Sequence, residues 1–217
     1  MKYVLCYGDS NTHGYDPGNG LRYPEEIRWT ARLSRMMGSQ YRIIEEGLNN
    51  RTTAIEPAGE PWLSGACCLE ACVRTHMPVD LVILMLGSND MKSRYRQDEN
   101  MIGEHIRGLI RTIKRASAEK SPEGTSCKIL LVSPVLVEKE AASGPFADEF
   151  TLDHAVPLSA RLAPVYQKIA EEEKVEFMDA ARYAKAGTKD GLHLEETGHR
   201  DLATAMAGKV WDLFELK

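Results

Sequence analysis

Short apolar runs alternate with longer amphipathic stretches along the whole chain. Five of the short runs read as strands: 2–7 (KYVLCY), 41–45 (YRIIE), 80–86 (DLVILML), 128–133 (KILLVS) and 174–178 (KVEFM). The runs LVILML and KILLV are apolar without alternation, the pattern of strands covered on both faces in a parallel sheet. Between them, 24–37, 64–76, 100–119, 157–173 and 196–215 read as helices. In the last of these, Leu202, Met206, Val210, Leu213 and Phe214 recur at helical spacing. Strands separated by helices predict an α/β fold, a three-layer α/β/α sandwich with right-handed crossovers. A chain of 217 residues suits one domain over 1–217. At that length, burial of roughly 70% of the unfolded surface stabilises the fold without a disulfide or metal.

In an open parallel sheet the site lies beyond the carboxyl ends of the strands, at the topological switch point. Three small-polar clusters fall there, each directly after a strand candidate: GDSNTHG (8–14), GLNNRTT (47–53) and GSND (87–90). The loop candidates 91–99 and 138–153 are expected to border the same rim.

Ser10 sits in Gly8-Asp9-Ser10-Asn11, where backbone N–H groups at the start of a turn can face a developing oxyanion. Gly, Asp and Ser are also ordinary turn residues, so this motif alone fits a plain turn. Its chemical reading rests on the far end of the chain, where Asp190-Gly191-Leu192-His193 places a carboxylate three residues before a histidine. A serine hydroxyl needs a base to take its proton, and the base needs a carboxylate on its far nitrogen. One D-x-x-H turn supplies both. The other histidines fit less well. His13 has only Asp16 as a weak orienting acid, His76 and His105 fall in helix candidates, and His154 borders a loop. His199 has Glu196 at the same spacing, but on the final helix a solvated i,i+3 pair is the ordinary expectation. A metal site from His193 and His199 is disfavoured, because six residues do not fall on one helical face. Asn89 follows the most apolar strand and can donate its amide to an oxyanion, or simply cap a turn. Asp90 reads as structural, and the turn around Gly47 and Asn50 offers a further backbone donor.

Composition narrows the classes. A net charge of −5, without a lysine or arginine run, argues against a nucleic-acid surface. No apolar stretch reaches the roughly 18–20 residues of a membrane-spanning helix. The five cysteines (Cys6, Cys67, Cys68, Cys72 and Cys127) are odd in number and form no CxxC, as expected of reduced thiols. The first residues run straight into a strand without the pattern of a secretory leader, so a cytoplasmic location is expected.

Taken in order, GDSN, GLNNRTT, GSND and DGLH resemble the four blocks of the SGNH (GDSL-type) hydrolase family. The EEGL-x-x-RTT, DLVI-x-MLG-x-ND and DG-x-H runs are most similar to its small bacterial arylesterase and acyltransferase branch. The resemblance implies a flavodoxin-like five-stranded parallel sheet of order 2-1-3-4-5. It implies a triad of Ser10, Asp190 and His193 with no metal or organic cofactor. It also implies an oxyanion hole from the N–H groups of Ser10 and Asn50 and the side chain of Asn89. Asn50 stands where the family usually has glycine; asparagine tolerates left-handed backbone, so its donor should survive while its side chain narrows the acyl pocket. Gly47 is the alternative donor, and Asn11, replacing the usual leucine, is expected at the substrate-binding edge of the pocket.

The expected activity is hydrolysis of small-molecule, short-chain carboxylic esters through an acyl-enzyme on Ser10, with transfer to alcohols as a variant. A carbohydrate O-acetylesterase is the alternative, and a flavodoxin-like module holding an anion at 8–14 is a further one. No G-x-S-x-G elbow and no G-x-G-x-x-G after the first strand occur, which disfavours an α/β-hydrolase or a dinucleotide-binding fold. Relatives in the arylesterase branch are often oligomers, which implies a homo-oligomer, with Phe146, Phe150 and Trp62 as candidate interface aromatics.

Overall fold

The computed structural model describes residues 1–119 and 124–215. Five strands, β1 (Lys2–Gly8), β2 (Tyr41–Gly47), β3 (Leu81–Met85), β4 (Lys128–Ser133) and β5 (Glu176–Asp179), form one sheet of order β2-β1-β3-β4-β5. Every pairing is parallel. The register sets Gly8 opposite both Gly47 and Met85, so β1, β2 and β3 release their following loops from one level. That level is the rim on which the three polar clusters were expected.

Alternation along the strands divides the core. Leu5, Tyr7, Val82, Leu84, Ile129 and Leu131 face one side. There they meet the buried stripes of α3 (Gly65–His76), α4 (Glu99–Ala118) and α5 (Ala155–Glu173). Val4, Cys6, Ile83, Met85, Leu130 and Val132 face the other, against α2 (Trp29–Met37) and α6 (Glu196–Glu215). In α4 the stripe is Ile102, Ile106, Leu109, Ile110 and Ile113, all buried at i, i+3, i+4 spacing. Each such side chain contributes about 1.5–3 kcal/mol on burial. Among the described residues no helix is long and apolar enough to cross a membrane.

Several elements differ from the pattern expected above, with β2 running on to Gly47 and β5 starting at Glu176 rather than 174. α2 starts at Trp29 rather than 24, because Arg28 is held extended (φ −55°, ψ 133°). Its guanidinium reaches back to the Tyr23 carbonyl at 2.9 Å and to Glu45 at 2.9 Å, which fixes the preceding segment as turns. α5 begins two residues earlier than expected, and it tolerates Pro164 inside it. A single helical turn, α1 (Ser10–His13), follows β1 where only a turn was anticipated.

The solvated Glu196–His199 pair is corrected as well. His199 is fully buried, its Nδ1 accepts the Trp29 N–H at 3.3 Å, and its ring meets Tyr23 edge-on. Glu196 turns outward to Arg32 at 3.5 Å. Helical periodicity places His199 on α6 but does not say that this part of the face docks onto the start of α2.

Burial, with the nearby charges of Arg32, His193 and Arg28, brings the His199 imidazole down from 6.5 to about 3. In the folded chain it stays neutral, while in the unfolded chain it takes up a proton below about pH 6.5. Its contribution is therefore complete above that pH and is lost as the pH falls towards 3. His199→Gln should flatten the acid side of the stability profile by up to about 1.4 kcal/mol per pH unit. Urea unfolding at about pH 7 and about pH 5 measures this, and equal slopes in the two proteins would contradict it.

Candidate active site

The site is built from the loops that leave β1, β2 and β3 together with the turn before α6. Asp9 is the N-cap of α1, and its carboxylate accepts the Asn11 N–H at 3.0 Å. This makes Ser10 the first residue of the helical turn, where backbone N–H groups have no intrahelical acceptor. Its hydroxyl is buried against the turn 190–193 rather than projecting into solvent.

In that turn the two Asp190 oxygens do different jobs. Oδ1 accepts the N–H groups of Leu192 at 3.0 Å and His193 at 2.9 Å, which shapes the turn. Oδ2 faces His193 Nδ1 at 2.6 Å, and His193 Nε2 faces Ser10 Oγ at 2.8 Å. Burial pushes the Asp190 carboxyl up, but the hydrogen bond and charge of His193 and the two amides outweigh it and hold it below the ordinary carboxylate value. An ionised Asp190 keeps the imidazole proton on Nδ1, which leaves Nε2 as the acceptor for the serine proton. Gly191 takes φ +67°, and a Cβ there would stand 2.4 Å from the Ala141 nitrogen. Only glycine lets the turn pass so close to the segment 138–143.

Asn11, expected at the pocket edge, does line the cavity, but its amide is engaged elsewhere. Its Nδ2 donates to the Leu192 carbonyl at 3.2 Å, and its Oδ1 accepts the Leu194 N–H at 2.8 Å. The two bonds straddle His193. The residue after the serine thus clamps His193 to the helix that carries Ser10, a role that the motif alone does not disclose.

Asn89 and Asn50 face the same cavity as Ser10. One Asn89 amide hydrogen is used by the Arg51 carbonyl at 3.1 Å, which orients the group. Asn50 has φ +64°, the left-handed geometry expected of a residue in a glycine position. Its Oδ1 is held by Lys92 Nζ at 2.9 Å. Arg51, whose part was not foreseen, is buried with its guanidinium over the Tyr7 ring. It donates to the Gly8 carbonyl at 2.8 Å and to the Glu46 carbonyl. Asp90 is structural as expected: it is fully buried and accepts the Thr53 N–H and hydroxyl, so the second and third polar loops are bound together. Burial brings its carboxyl up to about 6.

Gly47 lies away from this cavity. A Cβ there would meet the His13 nitrogen at 2.1 Å, so its small size serves the packing of β2 against α1. Phe146 and Phe150, suggested above as interface aromatics, line the cavity, with Phe146 edge-on to His193 at 5.7 Å. Tyr15, not singled out by any motif, stacks at a tilt on the same imidazole at 4.4 Å. Trp62 stays exposed. The cavity has a volume of about 160 Å³, with Met91, Val135, Val137 and Leu192 completing its apolar wall. The expected rim loops close it, joined where Ser93 N–H donates to the Glu149 carbonyl at 2.8 Å and Lys92 pairs with Glu149 at 2.9 Å.

A hydroxyl, an imidazole and a carboxylate in series at the carboxyl rim of a parallel sheet, facing an apolar pocket with amide donors, define a serine hydrolase. Residues 6–200 match the GDSL-like lipase/acylhydrolase family. The fold aligns with the aryl esterase of M. smegmatis at 34% identity and a TM-score of 0.91, covering 99% of this chain and 100% of that one. It aligns equally with a carbohydrate acetylesterase from Sinorhizobium meliloti at 33% identity and a TM-score of 0.91, again covering 99% and 100% of the two chains. An acetylxylan esterase of Xylanibacter ruminicola is 26% identical over 223 residues, which is 95% of this chain. The chain spans 42% of the length of that relative. It belongs to the GDSL-like lipase/acylhydrolase family.

The Asn11 clamp yields a prediction. Asn11→Ala leaves the Leu192 carbonyl and Leu194 N–H without their partner, at a cost of about 1–3 kcal/mol in urea unfolding. It also frees the base to drift, so kcat on an aryl acetate should fall about 10–100-fold. An unchanged kcat would show that the turn holds His193 without this clamp.

Proposed function

We propose that Ser10, His193 and Asp190 form the catalytic triad of a short-chain esterase that works through an acyl-enzyme. The observation that carries this reading is the unbroken hydrogen-bond series Asp190–His193–Ser10 at the wall of a small apolar cavity. His193 Nε2 takes the Ser10 proton as Oγ attacks the ester carbonyl. The oxyanion is received by the N–H groups of Ser10 and Asn50 and by the free Asn89 amide hydrogen. The imidazolium, stabilised by Asp190, then gives its proton to the leaving alcohol. A water molecule, deprotonated by His193, attacks the acyl carbon and returns Ser10 with release of the acid; an alcohol in the same position gives ester exchange.

The pocket favours small acyl groups. Phe146, Phe150, Val135 and Val137 line the space beside Ser10, and a volume of about 160 Å³ favours short acyl chains. Asn49, Asn50 and Lys92 make one side of the same cavity polar, which supports a second reading in which the alcohol is a sugar hydroxyl and the acyl group acetyl. An anion-holding module at 8–14 gives the Asp190–His193 pair no use. The five unpaired cysteines support a reducing, cytoplasmic setting.

Ser10→Ala should abolish the burst of an activated nitrophenyl ester, and wild-type turnover by that variant would sink the assignment. In a chain-length series the wild type should favour acetate to butyrate, whereas a maximum at long chains would contradict the closed pocket. Acetylated xylan compared with aryl acetates separates the sugar reading from the simple ester. Asn89→Ala removes one preorganised oxyanion donor and should lower kcat by about 100–1,000-fold with KM nearly unchanged.

A further inference from the structure

Three metal-binding donors meet outside the Ser10 site. Cys72 and His76 are four residues apart on α3 and so share one face of the helix. Glu46, near the end of β2, lies against that face. His76 Nε2 is 2.8 Å from a Glu46 carboxylate oxygen. The Cys72 sulfur, the imidazole nitrogen and the Glu46 oxygen all fall within 4.8 Å of one another, and all three residues are half-buried.

We propose that Glu46, Cys72 and His76 form a site for a divalent transition metal, best suited to Zn²⁺, with solvent as the fourth ligand. A thiolate, an imidazole and a carboxylate together select zinc-like ions over calcium and magnesium, which prefer all-oxygen sites. Zinc bonds of about 2.0–2.3 Å put tetrahedral ligand atoms roughly 3.3–3.7 Å apart, a spread that small side-chain rotations reach here. On binding, the Cys72 thiol proton is released to solvent. Cys68, one turn earlier, directs its sulfur to the Trp62 carbonyl at 3.6 Å and is not a ligand.

The site would staple β2 to α3. β2 is an edge strand, and β1 is its one strand partner in the sheet among the described residues. Glu46 also offers its carbonyl to Arg51, so the staple lies directly behind the loop that carries Asn50.

Co²⁺ added to the chelator-treated full chain tests this. The wild type should develop a near-ultraviolet thiolate-to-cobalt charge-transfer band and strong visible bands of a four-coordinate ion, saturating at one equivalent and bleached by Zn²⁺. Cys72→Ser should lose the charge-transfer band, and Cys68→Ser should keep it. His76→Gln, at a half-exposed position, should weaken Co²⁺ binding by more than the about 10–100-fold that loss of an outer-shell partner costs. The proposal is overturned by the absence of a thiolate band in the wild type, by its survival in Cys72→Ser, by its loss in Cys68→Ser, or by unchanged affinity in His76→Gln.

Discussion

The hydrogen bond between Ser10 and His193 joins residues 183 positions apart, and the geometry of the rest of the site depends on keeping it at 2.8 Å. A parallel sheet meets this demand because all its strands point the same way, so loops remote in sequence leave from one rim. The level register of Gly8, Gly47 and Met85 then brings three loops to the nucleophile. What remains is angular precision, and that comes from polar contacts. Asp190 shapes its own turn and holds the imidazole from one side, while Asn11 grips the backbone on both sides of His193 from the other. Tyr15 and Phe146 pack on the ring, so rotation of the base meets resistance in every direction.

The same logic extends to Asn50 and Asn89 through a buried polar frame. Arg51 ties the ends of β1 and β2 through the Gly8 and Glu46 carbonyls, and its own carbonyl fixes Asn89. Asp90 binds Thr53 and so prevents the second and third loops from separating. Groups of this kind cost several kcal/mol when unpaired and little when paired, so the frame is strongly biased towards one arrangement. Asp90 shows the cost directly: burial raises its carboxyl to about 6 despite three hydrogen bonds from Thr53.

Much of this was legible in the chain because local pattern and local chemistry agree there. The unbroken apolar runs mark buried parallel strands, and D-x-x-H places acid and base in one turn without reference to anything distant. Asn50 was also readable, since a left-handed position selects asparagine or glycine by backbone sterics alone. Residues whose roles are set by a distant partner were not readable in the same way. Asn11 looks like a pocket residue until Leu192 and Leu194 stand beside it, and Phe146 looks like a surface aromatic until its loop folds back over His193. His199 has a plausible local partner in Glu196, but the packing of α6 on α2 decides otherwise. The start of α2 follows the same rule, for the Arg28–Glu45 contact reaches across to β2.

Lys92 shows how the cavity wall and the turn carrying Asn50 come to act as one body. Its ammonium is buried, and burial lowers its affinity for the proton while Glu149 restores part of it. It therefore needs both partners that it has: the Glu149 carboxylate from the loop at 138–153 and the Asn50 side chain from the loop after β2. If either loop moves away, a buried cation is left with one fewer partner, so the pocket wall and the Asn50 turn are energetically linked. The rim loops in this fold do more than cover the substrate. Their closure and the position of Asn50 are stabilised by the same charge.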